Sequence, residues 1–298
     1  NIPVTQSKLI EKATAVQGYI NFHTNTKEYT QLVLETITTE DKEYGFIKTN
    51  EPQKVMVEHT SANPNSPLHI GNARNSILGD SLASLLENRG HQIIIHFLVN
   101  DMGRQVAMAT YGWKLMGKPE PEGTAELWVG TIYAAVNVVN ELTRLRKELK
   151  EAEQEGWVYE ASEAQEQIEE YEKAATMLKE RYPDIYKTME EKLPKIPDPM
   201  AEIVALNTRY ENNEPETVQE VRTVINYCLN GFQESLGLLG IHFDSFDFES
   251  DLVWKQAAED VLDRLKETGY VIKDIGAQVL DCDWIARDLK LKERWGLH

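Results

Sequence analysis

The chain has 298 residues, 41% of them hydrophobic, and a formal charge of −18. That length suits one large domain or two ordinary ones, and the apolar share can fill a sizeable core. No run of about 18 apolar residues is present, which excludes a membrane-spanning helix; the acidic balance argues against nucleic-acid contact by most of the surface, because phosphate binding needs clustered Lys and Arg.

The N-terminus, Asn1-Ile2-Pro3-Val4-Thr5, shows no charged stretch followed by an apolar one, so no signal peptide is expected. It lacks an initiator Met and reads as a processed form or a fragment. Residues 1–50 combine a short helical start with an extended piece over 29–37 and a turn-like run over 39–45. They read as the tail of a domain or as a connecting arm.

Val55-Met56-Val57-Glu58 fits a short buried strand. A loop with Pro64 and Pro67 follows, and a helix starts near Gly71, its apolar face carried by Ile77, Leu78, Leu82, Leu85 and Leu86 and its stop by Asn88-Arg89-Gly90. The nearly continuous apolar run from Ile93 to Val99 predicts a strand of a parallel sheet covered on both faces. Strand, loop, helix and strand make a βαβ unit.

Residues 126–192 are rich in Glu, Lys, Ala and Leu. Val138, Leu142, Leu145 and Leu149 form one helical stripe, and Ile168, Tyr171, Ala175 and Leu178 a second, predicting a charged helical hairpin around Gly156 with solvated outer faces. Pro194, Pro197 and Pro199 mark a break. A helix over about 216–238 comes next, then a strand-like stretch and loop from Ile241 to Asp251, a helix over about 253–267, and a hairpin at 270–280. Cys228 and Cys282 are far apart and read as free thiols in a reducing cytosol. The seven histidines are scattered, and no structural metal is expected.

The loop that joins the first strand to the first helix carries the chemistry. In open α/β sheets ligands bind at the C-terminal ends of the strands, and a helix N-terminus offers unpaired N–H groups and the positive end of a dipole to phosphate. His69 can donate to a phosphate oxygen, and Gly71 lets a flat ring or phosphate approach the backbone. A loop His or Gly alone is more often only a solvent-facing side chain or a turn; the combination His69-Ile70-Gly71 at the opening of a βαβ unit raises the signal.

These residues resemble the His-Ile-Gly-His signature of class I aminoacyl-tRNA synthetases. The wider strings, Val57-Glu58-His59-Thr60-Ser61-Ala62-Asn63-Pro64, Pro67 to Gly71, Ala73 to Asp80, Val99 to Gln105, and Gly240 to Asp251, resemble arginyl-tRNA synthetases of the kind common in archaea. The resemblance covers residues 55–110 and 235–281 strongly, and the helical middle by position and character. It implies an α/β, Rossmann-like parallel-sheet nucleotide-binding domain, incomplete, with a large helical insertion. Residues 1–50 would be a connecting arm or the remnant of an N-terminal extra domain, 51–125 the first half of the catalytic domain, 126–235 the insertion, and 236–298 the continuation.

By the same resemblance, Ser61 and Asn63 would contact the amino and carboxylate groups of arginine, with Glu58 close to the amino group and Glu249 facing the guanidinium. His69, Ile70, Gly71 and Asn72 would hold ATP with its Mg2+, and His69, Gly71 and Asn72 would serve catalysis, Asn72 also reaching arginine. Asp101 and Gln105 are further candidates to line the crevice, although Asp101 could equally cap the following helix. The implied reaction is ATP-dependent formation of arginyl-adenylate and transfer to tRNA(Arg), by a cytoplasmic monomer that contacts tRNA mainly through domains outside this chain.

Three departures stand out. Asn72 replaces the final His of the signature, so restoring His there is expected to change adenylate formation. The family's second catalytic half, with a Tyr, an Asp and a phosphate-gripping loop, would follow Asp281. Its C-terminal helical anticodon-binding domain is absent too, and the tail from Trp284 to His298 has no clear match. The fragment alone is therefore expected to be inactive. The alternatives are a non-catalytic paralogue acting as a binding protein, and another adenylyl-transferring enzyme with a His-Ile-Gly loop.

Overall fold

A computed structural model describes residues 7–274 and 276–296. The N-terminal pentapeptide and the last two residues of the tail lie outside the described residues. The chain divides into two units, residues 1–55 with 84–93, and residues 56–83 with 94–298.

The first unit opens on an antiparallel hairpin, β1 (Ile10–Val16) and β2 (Tyr19–Thr24). Its turn is Gln17-Gly18, both at positive φ (50° and 84°), the geometry that matches the twist of a two-residue hairpin. α1 (Thr26–Glu40) follows, capped by Asn25, whose side chain accepts from Glu28 N at 3.3 Å. Sequence reading reverses these elements: it expects a helical start and an extended piece over 29–37. The β-branched Thr, Val and Ile residues suggest strand, yet Tyr29, Leu32, Val33 and Ile37 also keep helical spacing, and the Asn25-x-x-Glu28 cap decides for helix.

β3 (Lys54–Glu58), α2 (Ile70–Asn88) and β4 (Gln92–Val99) lie where the βαβ pattern places them, but β3 is not the buried strand expected, since Val57 alone is buried and Met56 is exposed. β5 (Ser245–Phe248) completes a sheet of order β3-β4-β5, and β4 and β5 run parallel with His96 opposite Ser245 and Val99 opposite Phe248. The covering of β4 is uneven. Phe97 and Val99 are fully buried, whereas Ile94 is 41% exposed, so only the C-terminal half of the strand meets the core.

That core is mostly helical. α3 (Arg104–Leu115), α4 (Ala125–Glu155), α5 (Val158–Arg181), α6 (Pro183–Lys192), α7 (Pro199–Glu211) and α8 (Pro215–Gly237) bury Val129, Ile132, Ala135, Val136, Met189, Ile203, Ile225 and Phe232 among one another. The predicted hairpin is α4 and α5, turned by Gly156 in the left-handed region at φ 75°. Both predicted stripes face inward: Val138, Leu142, Leu145, Ile168 and Ala175 are buried, and Leu149, Tyr171 and Leu178 pack against them. The charged outer faces carry exposed pairs such as Arg144 with Glu141 and Glu148, worth a few tenths of a kcal/mol each, about 0.3–0.5.

Prolines do more than break this region. Pro183, Pro199 and Pro215 each stand in the first turn of a helix, where a missing N–H costs nothing. α6 and α7 escape sequence reading for that reason. Where α8 crosses α4, a Cβ at Gly231 would overlap the Glu126 carboxylate and lie 2.8 Å from the Glu126 backbone N. Glycine permits the approach.

The helix expected over 253–267 is two, α9 (Glu249–Trp254) and α10 (Ala257–Glu267), divided at Gln256, which adopts φ 54°. β6 (Val271–Asp274) and β7 (Ala277–Leu280) form the predicted antiparallel hairpin. α11 (Cys282–Asp288) and α12 (Leu291–Trp295) follow. Among the described residues no helix is long and apolar enough to cross a membrane, and Cys228 (buried) and Cys282 (exposed) are both free thiols.

Candidate functional site

The loop between β3 and α2 is held from several sides. Ser61 Oγ accepts from the Leu98 backbone N–H at 3.1 Å and donates to Glu58 Oε1 at 3.0 Å, tying the loop to β4. Asn65 Nδ2 donates to Gln105 Oε1 on α3 at 3.0 Å. A Cβ at Gly130 would stand 2.8 Å from Pro67, so α4 presses directly on the loop. Ala62, Pro64 and Asn65 are buried, while Glu58 and Asn63 remain exposed. Thr60 and Ser61 sit at positive φ (68° and 36°), which for non-glycine residues costs about 1–3 kcal/mol each and persists only where the surroundings enforce it.

His59, Thr60 and Ser76 supply that enforcement. Ser76 Oγ donates to the Asn72 carbonyl at 2.9 Å, and its lone pair faces Thr60 Oγ1 at 2.6 Å. Thr60 Oγ1 in turn lies 2.9 Å from His59 Nδ1. With Ser76 donating onward, Thr60 donates to Ser76 and accepts from His59, so the proton of the neutral ring is on Nδ1. His59 is 3% exposed and packs against Phe243 with ring centroids 4.9 Å apart.

Burial pushes the His59 imidazole below its usual 6.5, outweighing the raising influence of Asp80. The unfolded chain takes up a proton near 6.5 while the folded chain waits for lower pH, so stability falls as the pH drops below 6.5. His59→Gln removes that titration. Comparing melting temperatures at pH 7.5 and 5.5, the fall on acidification is expected to be smaller for the variant than for the parent; an equal fall would mean that His59 is not a buried neutral group.

At the start of α2, His69 and Asn72 cap each other. His69 Nδ1 accepts from Gly71 N at 3.1 Å and Asn72 N at 3.4 Å, and Asn72 Oδ1 accepts from His69 N at 3.1 Å. This is a capping box built from His and Asn. It makes Nδ1 an acceptor, so the proton of the exposed neutral ring is on Nε2, free for a ligand. The space above Gly71 expected for a ligand's close approach is the space the His69 ring occupies, for a Cβ there would stand 2.9 Å from His69 Cε1.

Asp101, at the end of β4, is wholly buried and does not cap α3, whose N-cap is Gly103. It caps α9 from across the sheet. Its carboxylate accepts from Ser250 N at 2.9 Å, from Ser250 Oγ at 2.6 Å and from Tyr210 Oη. Arg222 lies over this group, donating from Nε to Tyr210 Oη at 3.0 Å and from Nη2 to Ser250 Oγ and Asp251 Oδ1, each at 2.7 Å. Burial, and then the bond to Asp101, pushes the Tyr210 phenol well above its usual value, so it is a neutral donor at ordinary pH. Glu249 is the first residue of α9, half-buried, and among the described residues its carboxylate makes no hydrogen bond or ion pair.

The predicted residues thus fall into linked groups: Glu58 with Ser61; His69 with Gly71 and Asn72; Gln105 with Asn65; and Asp101 beside Glu249 through Ser250. Asn63 and Ile70 are exposed and make no side-chain hydrogen bond among the described residues. Sequence reasoning missed Asn65, Ser76, Tyr210 and Arg222. Asn65 was legible as a polar residue in the loop; nothing in the sequence ties Tyr210 and Arg222 to it.

A strand–loop–helix of this form on a parallel sheet, with the His69-Ile70-Gly71 cap at the strand ends, is an α/β, Rossmann-like arrangement. Residues 33–137 match the family model described as tRNA synthetases class I (R), catalytic domain. The chain is 39% identical over 258 residues to the arginine–tRNA ligase of Sulfurisphaera tokodaii, covering 86% of this chain and 40% of that protein. It is 38% identical over 283 residues to that of Saccharolobus solfataricus, covering 93% and 44%. Among solved structures, arginyl-tRNA synthetase of Thermus thermophilus shares the fold, with a TM-score of 0.54, 22% identity, and coverage of 92% of this chain and 36% of that one. Over most of its length the chain is similar to arginine–tRNA ligases, and it spans less than half the length of these curated relatives.

Proposed function

We propose that the protein containing this chain activates arginine with ATP and passes the arginyl group to tRNA(Arg). The observation that carries the reading is the mutual cap of His69 and Asn72, which leaves one free imidazole N–H at the positive end of α2. ATP, entering with Mg2+ as part of the substrate, would place its phosphates there, against His69 Nε2 and the Asn72 amide. Gly71 serves by making room for the His69 ring.

Arginine would bind where the loop meets the ends of β4 and β5. Glu58 has one oxygen engaged by Ser61 and the other open to an ammonium group, with Asn63 exposed beside the strained turn. Glu249, unpaired, would take the guanidinium through two parallel hydrogen bonds. In the reaction, a carboxylate oxygen of arginine attacks the α-phosphorus of ATP, the bond to the bridging oxygen breaks, and pyrophosphate leaves. A 3′-terminal ribose hydroxyl of the tRNA then attacks the acyl carbon and AMP departs. The protein's part is positioning and charge stabilisation.

Residues 51–125 and 236–298 would be the catalytic portion, 126–235 a helical insertion, and 1–50 an arm. Free Cys228 and Cys282 fit a reducing cytosol; a monomer is the simplest assembly. Arginine-dependent ATP–pyrophosphate exchange by the intact protein tests the activity, and no exchange with arginine would overturn it. Glu249→Gln is expected to raise the KM for arginine about ten- to a hundredfold, the worth of a charged hydrogen bond. Asn72→His exchanges the oxygen that fixes His69 for a ring and is expected to alter the exchange rate.

A further inference from the structure

Arg222 has no part in the function proposed so far, yet it touches the residues on both sides of Glu249. Its guanidinium lies 3.6 Å from the centroid of the Phe248 ring and 5.4 Å from that of Trp254. Its Nη2 donates to Ser250 and Asp251, its Nε to Tyr210, and Nε stands 3.5 Å from Asp101. The side chain is 20% exposed. Residues 248, 250 and 251 are all in its grip, and Glu249 between them is left unpaired.

We infer that Arg222 is a resident guanidinium that sets arginine specificity: it neutralises Asp101 and Asp251 and orients the first turn of α9, so that Glu249 alone is free for the substrate's guanidinium. The inference rests on the proposed arginine site. A planar guanidinium suits the task because it can stack on Phe248 and donate in two directions at once; an ammonium can do only part of this. Without Arg222, the Asp251 carboxylate is left unpaired two residues from Glu249 and the first turn of α9 loses its anchor, so a substrate cation is drawn away from an aligned Glu249. Asp251 is 44% exposed and so open to a substrate cation, and once unpaired it competes with Glu249. Arg222 is therefore a positioning residue acting through Glu249 and makes no contact with substrate.

Two measurements on the intact protein separate the inference from the reading beneath it. The first is hydrogen exchange, which needs no ligand. Arg222→Gln is expected to speed exchange of the Ser250 amide and of α9 at least tenfold, with α4 and α8 unchanged; unaltered α9 exchange overturns the inference whatever the protein binds. The second is discrimination between arginine and citrulline, its neutral isostere, with the KM for ATP measured alongside. Arg222→Gln is expected to lower the arginine preference at least tenfold through KM, leaving the KM for ATP within twofold. Arg222→Lys recovers part of the preference, and adding Asp251→Asn to Arg222→Gln recovers more, since it removes the competing charge. A preference unchanged by Arg222→Gln, or lost without any recovery by Asp251→Asn, overturns the specificity role. If the parent protein itself does not prefer arginine to citrulline while exchange in α9 responds as expected, the arginine site falls and the anchoring of α9 by Arg222 stands.

Discussion

Asp101→Ala is expected to be among the most damaging single substitutions in the chain, lowering stability by about 3–5 kcal/mol, the usual result of removing one partner from a buried charged pair. Asp101 is wholly buried and serves four donors at once: two on Ser250, the Tyr210 hydroxyl, and, at 3.5 Å, Arg222. Alanine removes the acceptor they share. Arg222 keeps Asp251 and the Tyr210 hydroxyl keeps Ser250 Oγ at 3.2 Å, which softens the loss, but the buried Ser250 N–H loses its acceptor. Against a total stability of about 5–15 kcal/mol this is a large share. Asp101→Asn keeps the shape and one acceptor oxygen, and is expected to cost about 1–3 kcal/mol. Urea unfolding of the three proteins measures both numbers. A loss below about 1 kcal/mol for Asp101→Ala would show that the buried network is not what fastens α9 to the end of β4. On the proposed arginine site, activity is expected to fall through the KM for arginine where the loss of stability permits its measurement, because α9 carries Glu249.

The strand–loop–helix around residues 58–72 was legible because its signals are local. Glu58, Ser61, His69, Gly71 and Asn72 lie within one strand–loop–helix, and the members of each bonded pair stand two or three positions apart. The α4–α5 hairpin was legible for a similar reason: two apolar stripes at helical spacing flank one glycine that can turn left-handed. Where local signals competed, the sequence misled. In α1 the β-branched residues outweighed the Asn25 cap, and over 253–267 the apolar spacing ran on past Gln256, where the backbone reverses. The Asp101 network lay beyond reach in principle. Its partners are 109 and 149 residues away, and a buried Asp or Tyr looks in sequence like any other. Asp101 could be suspected of a pocket role or of capping α3; that it caps a helix on a distant part of the chain follows only from the pairing of β4 with β5.

Gly79 poses a contest that magnitudes decide. It lies in the middle of α2, where replacing Gly by Ala gains about 0.5–1 kcal/mol in helix propensity. A Cβ there, however, would overlap Cβ and Cγ of His59 and stand 2.5 Å from its Cδ2. Overpacking of a filled core costs about 1–3 kcal/mol, and this case belongs at the upper end because the obstructing atom is bonded to the backbone. Trimming His59 to Ala gives no relief, since its Cβ remains; only a shift of α2 or of the loop makes room. That shift would stretch Thr60 Oγ1 from Ser76 Oγ, now 2.6 Å apart, and release the bonds that hold Thr60 at positive φ. Gly79→Ala is therefore expected to lower stability by about 2 kcal/mol net of the propensity gain and, on the proposed function, to slow arginine-dependent ATP–pyrophosphate exchange by loosening the loop beneath His69 and Asn72. Gly237→Ala, at the end of α8 with nothing within 4 Å of its Cβ, is the control and should stay within about 0.5 kcal/mol of the parent. If Gly79→Ala proves as harmless as Gly237→Ala in urea unfolding, the contact between His59 and α2 is not what sets the loop. If it destabilises while its double variant with His59→Ala is fully restored, the obstruction is the ring, and the backbone of the loop is softer than its strained turn implies.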